Sequence, residues 1–210
     1  MRPTRACGTQ LLAATLLALS ATPLAIQAGA AQTAYVLDQS TSRVTFKGRA
    51  FLRTITGWSG ELVGRISIRG GDLASLRGDV RFPVASLETD PSIRPRELAE
   101  VFGADRSPDI IFAVDSVSQR NALGECLVHG HLTMNGTTRV VTFVGRTRTK
   151  GDRVITEGTS RVDLRQWHIQ PPRRLGMRMS PDIVLSFRAE FRRGRGHQTA
   201  LAPPDVDEIR

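Results

Sequence analysis

Apolar and polar residues alternate with a period of two through most of this sequence, and that pattern restricts its fold more than any other feature. In Arg43–Ala50, Val44 and Phe46 fall on one face while Arg43, Thr45 and Lys47 fall on the other. Such alternation predicts a β-strand with one buried and one solvated face. The pattern returns in seven further segments: 61–69, 76–82, 110–117, 126–134, 138–147, 154–164 and 183–192.

Turn residues separate these segments, and only one stretch has helical spacing. The turns are Gly70-Gly71-Asp72, Asn135-Gly136 and Lys150-Gly151-Asp152. Residues 95–102 predict a short helix, because Pro95 suits its first position and Leu98, Val101 and Phe102 share one stripe. About eight antiparallel strands with one short helix predict an all-β barrel or sandwich.

Both ends of the chain differ from this body. Residues 1–30 combine a positive start, a short apolar run and Ala28-Gly29-Ala30 before Ala31, which predicts a cleaved secretory signal peptide. Cleavage lowers the formal charge from +9 to 27 − 20 = +7, and leaves Cys126 as the only cysteine. We expect Cys126 to be a small buried strand residue. Residues 194–210 are polar and contain Pro203-Pro204, which predicts a disordered tail.

Four glycines stand on the apolar faces of predicted strands: Gly48, Gly64, Gly78 and Gly130. Glycine inside a strand weakens it and marks a bend or the close approach of another group. One interpretation is sharp bending of a barrel wall. The other is that missing side chains leave an apolar lumen, since small barrels can hold one ligand.

No pattern of catalytic residues emerges. The sequence lacks a nucleophile elbow, a dinucleotide-binding glycine motif and a phosphate-binding loop, so we expect no catalytic residue and no enzyme activity. His129 and His131 share one strand face, but two histidines are a weak metal signal, and no metal site is assigned. The arginines are expected mainly on the solvated face; the clusters Arg173-Arg174 and Arg192-Arg193 with Arg195 leave contact with anionic lipid open. With one tyrosine and predicted export, nucleic acid is not an expected partner.

Several motifs resemble the YceI-like family of exported polyisoprenoid-binding proteins. The resemblance spans about residues 34–193 and is strongest at Gly130–Val141, which is similar to the family's G-x-L-T-x-x-G-V-T-R-x-V. It departs at Thr41, where many members have histidine, and at His168, which stands in place of a glycine. Further matching segments are 35–38, 42–46, 60–66, 94–112 and 182–191.

The resemblance implies a lipocalin-like antiparallel barrel over residues 34–193, whose lumen holds an isoprenoid or similar lipid without catalytic residues or another cofactor. The function expected is non-enzymatic binding or transport of such a chain, in the periplasm or outside the cell. A quinone-binding stress or redox accessory and a metal-assisted enzyme stay as alternatives, and peripheral membrane contact and homodimerisation stay open. The side chains expected to line the binding site are Phe46, Ile66, Val80, Phe82, Phe112, Leu132, Leu185 and Phe187.

Overall fold

A computed structural model describes residues 31–50, 53–90, 93–119, 121, 124–170, 173–174 and 177–194. Within them the chain forms one antiparallel sheet of twelve strands and a short helix, α1 (Pro95–Phe102). The strands are β1 (Gln32–Leu37), β2 (Arg43–Ala50), β3 (Arg53–Ser59), β4 (Val63–Arg69), β5 (Asp72–Pro83), β6 (Glu88–Asp90), β7 (Asp109–Gln119), β8 (Glu125–Met134), β9 (Thr137–Lys150), β10 (Arg153–Asp163), β11 (Arg173–Arg174) and β12 (Met177–Arg193).

Eight of these strands close into a ring in the order β1, β4, β5, β7, β8, β9, β10, β12. The closing contact joins the first strand to the last, with Tyr35 opposite Arg193 and Leu37 opposite Phe191. This confirms the expected all-β, antiparallel, lipocalin-like barrel. Closure matters for function because a barrel of eight strands encloses an interior just wide enough for side chains or one small ligand.

Three strands of the ring are connected to a further strand across a short backbone break. Residues 38–42 separate β1 from β2, residues 60–62 separate β3 from β4, and residues 84–87 separate β5 from β6. Past the breaks, β2, β3 and β6 pair side by side, and β2 lies on the same edge of β12 as β1. Serines bond the backbone groups that the breaks release. The Ser42 hydroxyl donates to the Asp38 carbonyl (2.7 Å) and accepts from the Glu190 amide (3.0 Å). Hydrogen-bonded breaks let the wall bend without leaving buried polar groups unpaired.

Helix α1 follows β6 and has the bounds that the sequence predicts. Pro95 occupies its first turn, and Gly103 ends it in the left-handed conformation (φ 65°), where glycine carries no steric cost. Leu98 and Phe102 are its buried residues. The Phe102 ring lies 6.1 Å from the Phe46 ring of β2, which brings the helix against the interior of the barrel.

The eight segments predicted as strands are all strands, and β1, β3, β6 and β11 are additional ones. The leader at 1–30 falls outside the described residues, as does all of the predicted tail except Gly194. Across the part of the chain that the structure describes, no helix has the length and apolarity needed to cross a membrane.

Candidate functional site

An apolar cavity occupies the centre of the barrel. All eight side chains that the sequence predicts for the binding site line it. Sequence reasoning did not select the remaining lining residues, although most belong to the same alternating faces. They are Val44, Leu62, Leu76, Leu87, Phe102, Ile110, Val114, Val117, Val128, Met134, Phe143, Thr156, Ile183, Ala189 and Phe191.

Six lining side chains are only half-buried although they pack against the core. They belong to two parts of the wall: Val80, Phe112 and Val114 on β5 and β7, and Val44, Leu185 and Phe187 on β2 and β12. Cross-strand register keeps each group together, because Val80 lies opposite Phe112 and Val44 opposite Phe187. Since these residues face the cavity, their accessible apolar surface is available to a guest inside the barrel.

A row of three phenyl rings forms one wall of the cavity. Phe143 packs edge-on against Phe112 and against Phe187, with ring centroids 5.0 Å apart in each pair. Edge-to-face packing at this distance is the favoured geometry for aromatic pairs. The three rings come from β7, β9 and β12, so they cross the intervening strands β8 and β10.

Glycines on these intervening strands leave space for the rings. A Cβ atom at Gly130 of β8 would lie 2.7 Å from the Phe112 ring, and one at Gly158 of β10 would lie 3.0 Å from the Phe187 ring. Phe46, which is not part of this row, covers Gly57 on β3 in the same way, and the two residues lie directly opposite each other in register. Phenylalanine side chains therefore cover the places where glycine has no side chain.

The glycines that the sequence singled out have a different role from holding the lumen open. A Cβ at Gly64 would lie 2.5 Å from the Asp79 carbonyl oxygen, while one at Gly78 or Gly130 would approach the carbonyl oxygens of Arg65 and Ala113 even more closely. Close approach of neighbouring backbone thus requires glycine at these three positions. The interpretation that they chiefly provide ligand space is wrong for Gly64, Gly78 and Gly130.

The cavity volume open to the centres of water-sized spheres is about 100 Å³. One water needs about 10–15 Å³ on this measure and two to four polar partners. Among the described side chains that line the cavity, Thr156 is the single one with a polar group, and none carries a charge. Space of this kind favours an apolar guest over ordered water.

Thr156 begins a short chain of hydrogen bonds within the wall. Its Oγ1 lies 2.8 Å from Thr147 Oγ1, which in turn lies 3.3 Å from Cys126 Sγ. All three residues are buried, and Cys126 is the free, fully buried strand cysteine that the sequence predicts. The available sequence signal was a polar residue at position 156, between Val154 and Gly158 on the lumen face of β10.

The segment around Trp167 is fixed against β8. The Trp167 indole is 1% exposed and its Nε1 donates to the Leu132 carbonyl oxygen at 2.9 Å. Asn135 of the β8–β9 turn donates to the Trp167 carbonyl (3.0 Å) and accepts from Arg106 (2.6 Å). His168 adopts the left-handed conformation (φ 57°) that explains why a glycine would suit this position.

His129 and His131, on the outer face of β8, each contact a side chain on a neighbouring strand. His129 Nδ1 lies 2.9 Å from Thr142 Oγ1, and His131 Nδ1 lies 2.7 Å from Asp115 Oδ2. Among the described residues, no group of three or more histidine, cysteine, aspartate or glutamate side chains is arranged to hold a metal ion. The histidines therefore have structural partners within the sheet.

The arginines near the closing contact also have acidic partners. Arg192 pairs with Asp38 (2.6 Å), and Arg153 pairs with Glu190 (2.5 Å), whose side chain is buried. The pKa of the Asp38 carboxyl lies below its ordinary value. The hydrogen bond from the Ser40 hydroxyl is the largest cause, and the Arg192 guanidinium makes a smaller contribution. These pairs join β12 to the break after β1 and to β10. Arg192 and Arg153 therefore form ion pairs within the barrel wall.

An antiparallel ring of eight strands around an apolar lumen defines a lipocalin-like barrel. The model of the YceI-like domain matches residues 35–191, and the chain belongs to this family. No curated protein matches the chain in sequence.

Three solved structures share the fold at low sequence identity. BcnA of Burkholderia cenocepacia is 14% identical, with a TM-score of 0.63 over 73% of this chain and 98% of its own. A polyisoprenoid binding domain from Saccharophagus degradans, implicated in plant cell wall breakdown, is 13% identical, with a TM-score of 0.58 over 77% and 99%. The Campylobacter jejuni YCEI protein is 16% identical, with a TM-score of 0.55 over 67% and 85%.

Proposed function

We propose that this protein binds a polyisoprenoid or similar lipid chain in the barrel lumen, without catalysis, after export to the periplasm or the cell exterior. The observation that carries the proposal is the almost entirely apolar lining of the central cavity, which consists of aliphatic and phenyl side chains apart from Thr156. The family and the description of the Saccharophagus degradans domain as polyisoprenoid-binding support it. Export rests on the sequence of residues 1–30.

The hydrophobic effect supplies the affinity. Burying one methylene group contributes about 0.8 kcal/mol, so each isoprene unit that enters the lumen adds several such increments. Lining residues extend along β12 from Ile183 to Phe191. At a rise of about 3.3 Å per residue this is roughly 26 Å of strand, a length that suits an extended chain better than a compact molecule.

The proposal is tested on the lipid that co-purifies with the protein. Organic extraction and mass spectrometry of the exported wild-type protein are expected to yield an isoprenoid or other long apolar chain. A Val80→Trp variant adds an indole to the half-buried wall opposite Phe112 and is expected to lose most of this lipid. The matched control is Val140→Trp. Val140 is 71% exposed, so the same substitution there adds the indole outside the barrel.

Thermal melting of the two tryptophan variants separates loss of ligand from loss of fold. A folded Val80→Trp protein with little lipid, beside a Val140→Trp protein with the wild-type load, supports binding in the lumen. Equal lipid loads in both folded variants would place the lipid elsewhere and overturn the proposal.

A further inference from the structure

Basic side chains without ion-pair partners lie at one end of the barrel, around the turn between β2 and β3. Lys47 and Arg49 of β2 and Arg53 of β3 are exposed there. Lys47 is opposite Val184 of β12, which is in turn opposite Arg161 of β10, so the exposed Arg161 joins them across two strands. Among the described residues, none of these four basic side chains takes part in an ion pair. Their charge is available to a partner outside the barrel.

A groove on the outer wall lies between these basic residues. Here β12 has three residues, Ser180–Asp182, between its pairs with Ala50 and Gly48, whereas β2 has only Arg49, so the wall bulges. The polar residues that line this β2–β12 groove are Lys47, Arg49, Thr54, Arg161, Ser180 and Asp182. Three cations and one carboxylate give the lining a charge of 3 − 1 = +2. Cationic groups beside hydroxyls suit a phosphate group.

A second basic hairpin lies beside the β2–β3 turn, because Met179 of β12 pairs with Ala50 of β2. It is formed by β11 and the start of β12, and its backbone register places Arg173 directly opposite Arg178. Like charges directly opposite each other destabilise an antiparallel pair, so fold stability does not account for this arrangement. The sequence has no aspartate or glutamate in residues 39–60 or 164–181, the segments that supply both hairpins.

The opposite end of the barrel has a different balance of charge. Strand β4 continues the path of β3 away from the β2–β3 turn, and its arginines lie opposite acidic residues of β5. Arg65 is opposite Asp79, and Arg69 is opposite Asp72. The unbalanced positive charge is therefore a property of the end that carries the β2–β12 groove.

We propose that this basic end is a docking surface for a membrane that exposes anionic phospholipid, and that the β2–β12 groove receives a head-group phosphate. The choice of a membrane rests on the proposed function, because a protein that binds a lipid chain must meet the surface from which that chain comes. Two adjacent hairpins at one end of a barrel present their charges together to a plane. Each basic residue held near an anionic membrane contributes about fivefold in affinity.

Sedimentation with lipid vesicles tests the inference on the full exported chain. We expect the protein to bind vesicles made of equal parts phosphatidylglycerol and phosphatidylcholine, and to leave pure phosphatidylcholine vesicles unbound. Binding is expected to weaken as salt is added, because salt screens exposed charges. Thermal melting and the content of co-purified lipid are measured on the same samples.

A triple variant, Lys47→Gln with Arg49→Gln and Arg161→Gln, removes the cations of the groove. It is expected to bind the anionic vesicles about 100-fold more weakly than wild type, which is about fivefold for each charge. The single variant Arg49→Gln changes one exposed side chain and is expected to bind about fivefold more weakly. It keeps the inference testable if the triple variant does not fold.

The matched control removes the same charge from the opposite end of the barrel. It combines Arg65→Gln, Arg69→Gln and Arg77→Gln, three exposed positions on β4 and β5, and is expected to bind as wild type. Equal losses in both triple variants would mean that total charge governs binding, and would overturn the docking surface. Full binding by the folded groove variant would overturn it as well.

Other outcomes with the wild-type protein identify a different partner or a different failure. Binding of inorganic phosphate or of an oligonucleotide, without binding of anionic vesicles, would overturn the membrane inference. A wild type that carries co-purified lipid but does not bind anionic vesicles overturns the docking surface alone. A wild type that binds these vesicles through the groove but never carries a lipid chain counts against the proposed function and leaves the docking surface supported.

Discussion

Phe187 of β12 lies directly opposite Gly158 of β10, and its ring covers the position where a side chain at residue 158 would begin. The same ring is the last of the row that Phe112 and Phe143 begin. Gly158 therefore determines how close this ring lies to the wall, and with it the width of the lumen at that level.

Gly158→Val is expected to narrow the lumen. Its Cβ atom would lie 3.0 Å from the Phe187 ring and 3.1 Å from Phe143 Cβ, so the ring must move toward the cavity. We expect a destabilisation of about 1–3 kcal/mol, typical of overpacking, together with a reduced content of co-purified lipid. Urea unfolding and lipid extraction measure the two effects.

Gly60→Val is the matched control, because no atom lies within 4 Å of a Cβ at Gly60. It is expected to keep the wild-type lipid load. A Gly158→Val protein that retains full stability and full lipid load would show that the Phe187 ring does not limit the lumen.

Gly130→Ala is expected to be more harmful than Gly158→Ala, although both add one methyl group. At Gly130 the atom nearest to the added Cβ is the Ala113 carbonyl oxygen, and this backbone oxygen is held in the β7–β8 pairing. At Gly158 the nearest atoms belong to side chains, which can shift. We expect Gly130→Ala to lose about 2–3 kcal/mol of unfolding free energy, measured by urea titration, and to exceed Gly158→Ala. Equal losses would contradict the distinction between backbone and side-chain contact.

Asp38→Asn is expected to lower stability at neutral pH and to matter less in acid. The folded-state pKa of Asp38 is depressed, first by Ser40 and then by Arg192, so the ionised carboxyl stabilises the fold. This stabilisation is complete above the unfolded-state pKa of about 3.9 and is lost as the pH falls through the lower folded-state pKa. Urea unfolding of both proteins at pH 7 and pH 3 measures the difference.

An exposed carboxylate provides the comparison for this pH dependence. Asp105→Asn changes the same charge at an exposed position after α1 and is expected to have little effect at either pH. A constant difference between wild type and Asp38→Asn from pH 7 to pH 3 would mean that the ionised carboxyl is not responsible.

Replacement of both His129 and His131 by glutamine is expected to leave lipid retention unchanged and stability within about 0.5 kcal/mol of wild type. The His131–Asp115 pair is about half exposed, and exposed pairs contribute little. Elemental analysis of the purified protein accompanies the melting measurement. Bound metal in the wild type that disappears together with a large loss of stability would favour the metal-assisted alternative.

The alternating strands and the lumen residues could be predicted because burial of one face imposes a period of two on the sequence. Strand β3 escaped this reasoning for a physical reason. Its inward residues are Ile55, Gly57 and Ser59, and the apolar cover over Gly57 comes from Phe46 on the neighbouring strand. A strand whose inner face is completed by its neighbour carries too little apolar pattern of its own.

The site could be predicted as a set of inward residues but not as a geometry. Phe46, Phe112 and Phe187 follow from alternation, whereas the contact of Phe112 and Phe187 with Phe143 depends on the register of five strands. The backbone contacts of Gly64 and Gly78 likewise depend on how closely two particular strands approach. Register and interstrand distance are long-range properties, and the local pattern contains neither of them.

The pairing of β1 with β12 joins residues from the two ends of the barrel sequence. Tyr35 finds Arg193 only after nearly all of the described chain has been made, so the ring cannot close on a partly synthesised protein. Contacts between residues this far apart in sequence slow folding. A chain whose barrel closes slowly stays unfolded for longer. A secretory leader of the kind predicted for residues 1–30 directs proteins to an export route that they pass through unfolded. On the proposal that residues 1–30 direct export, a ring that closes only with the last strand would leave the chain open during translocation.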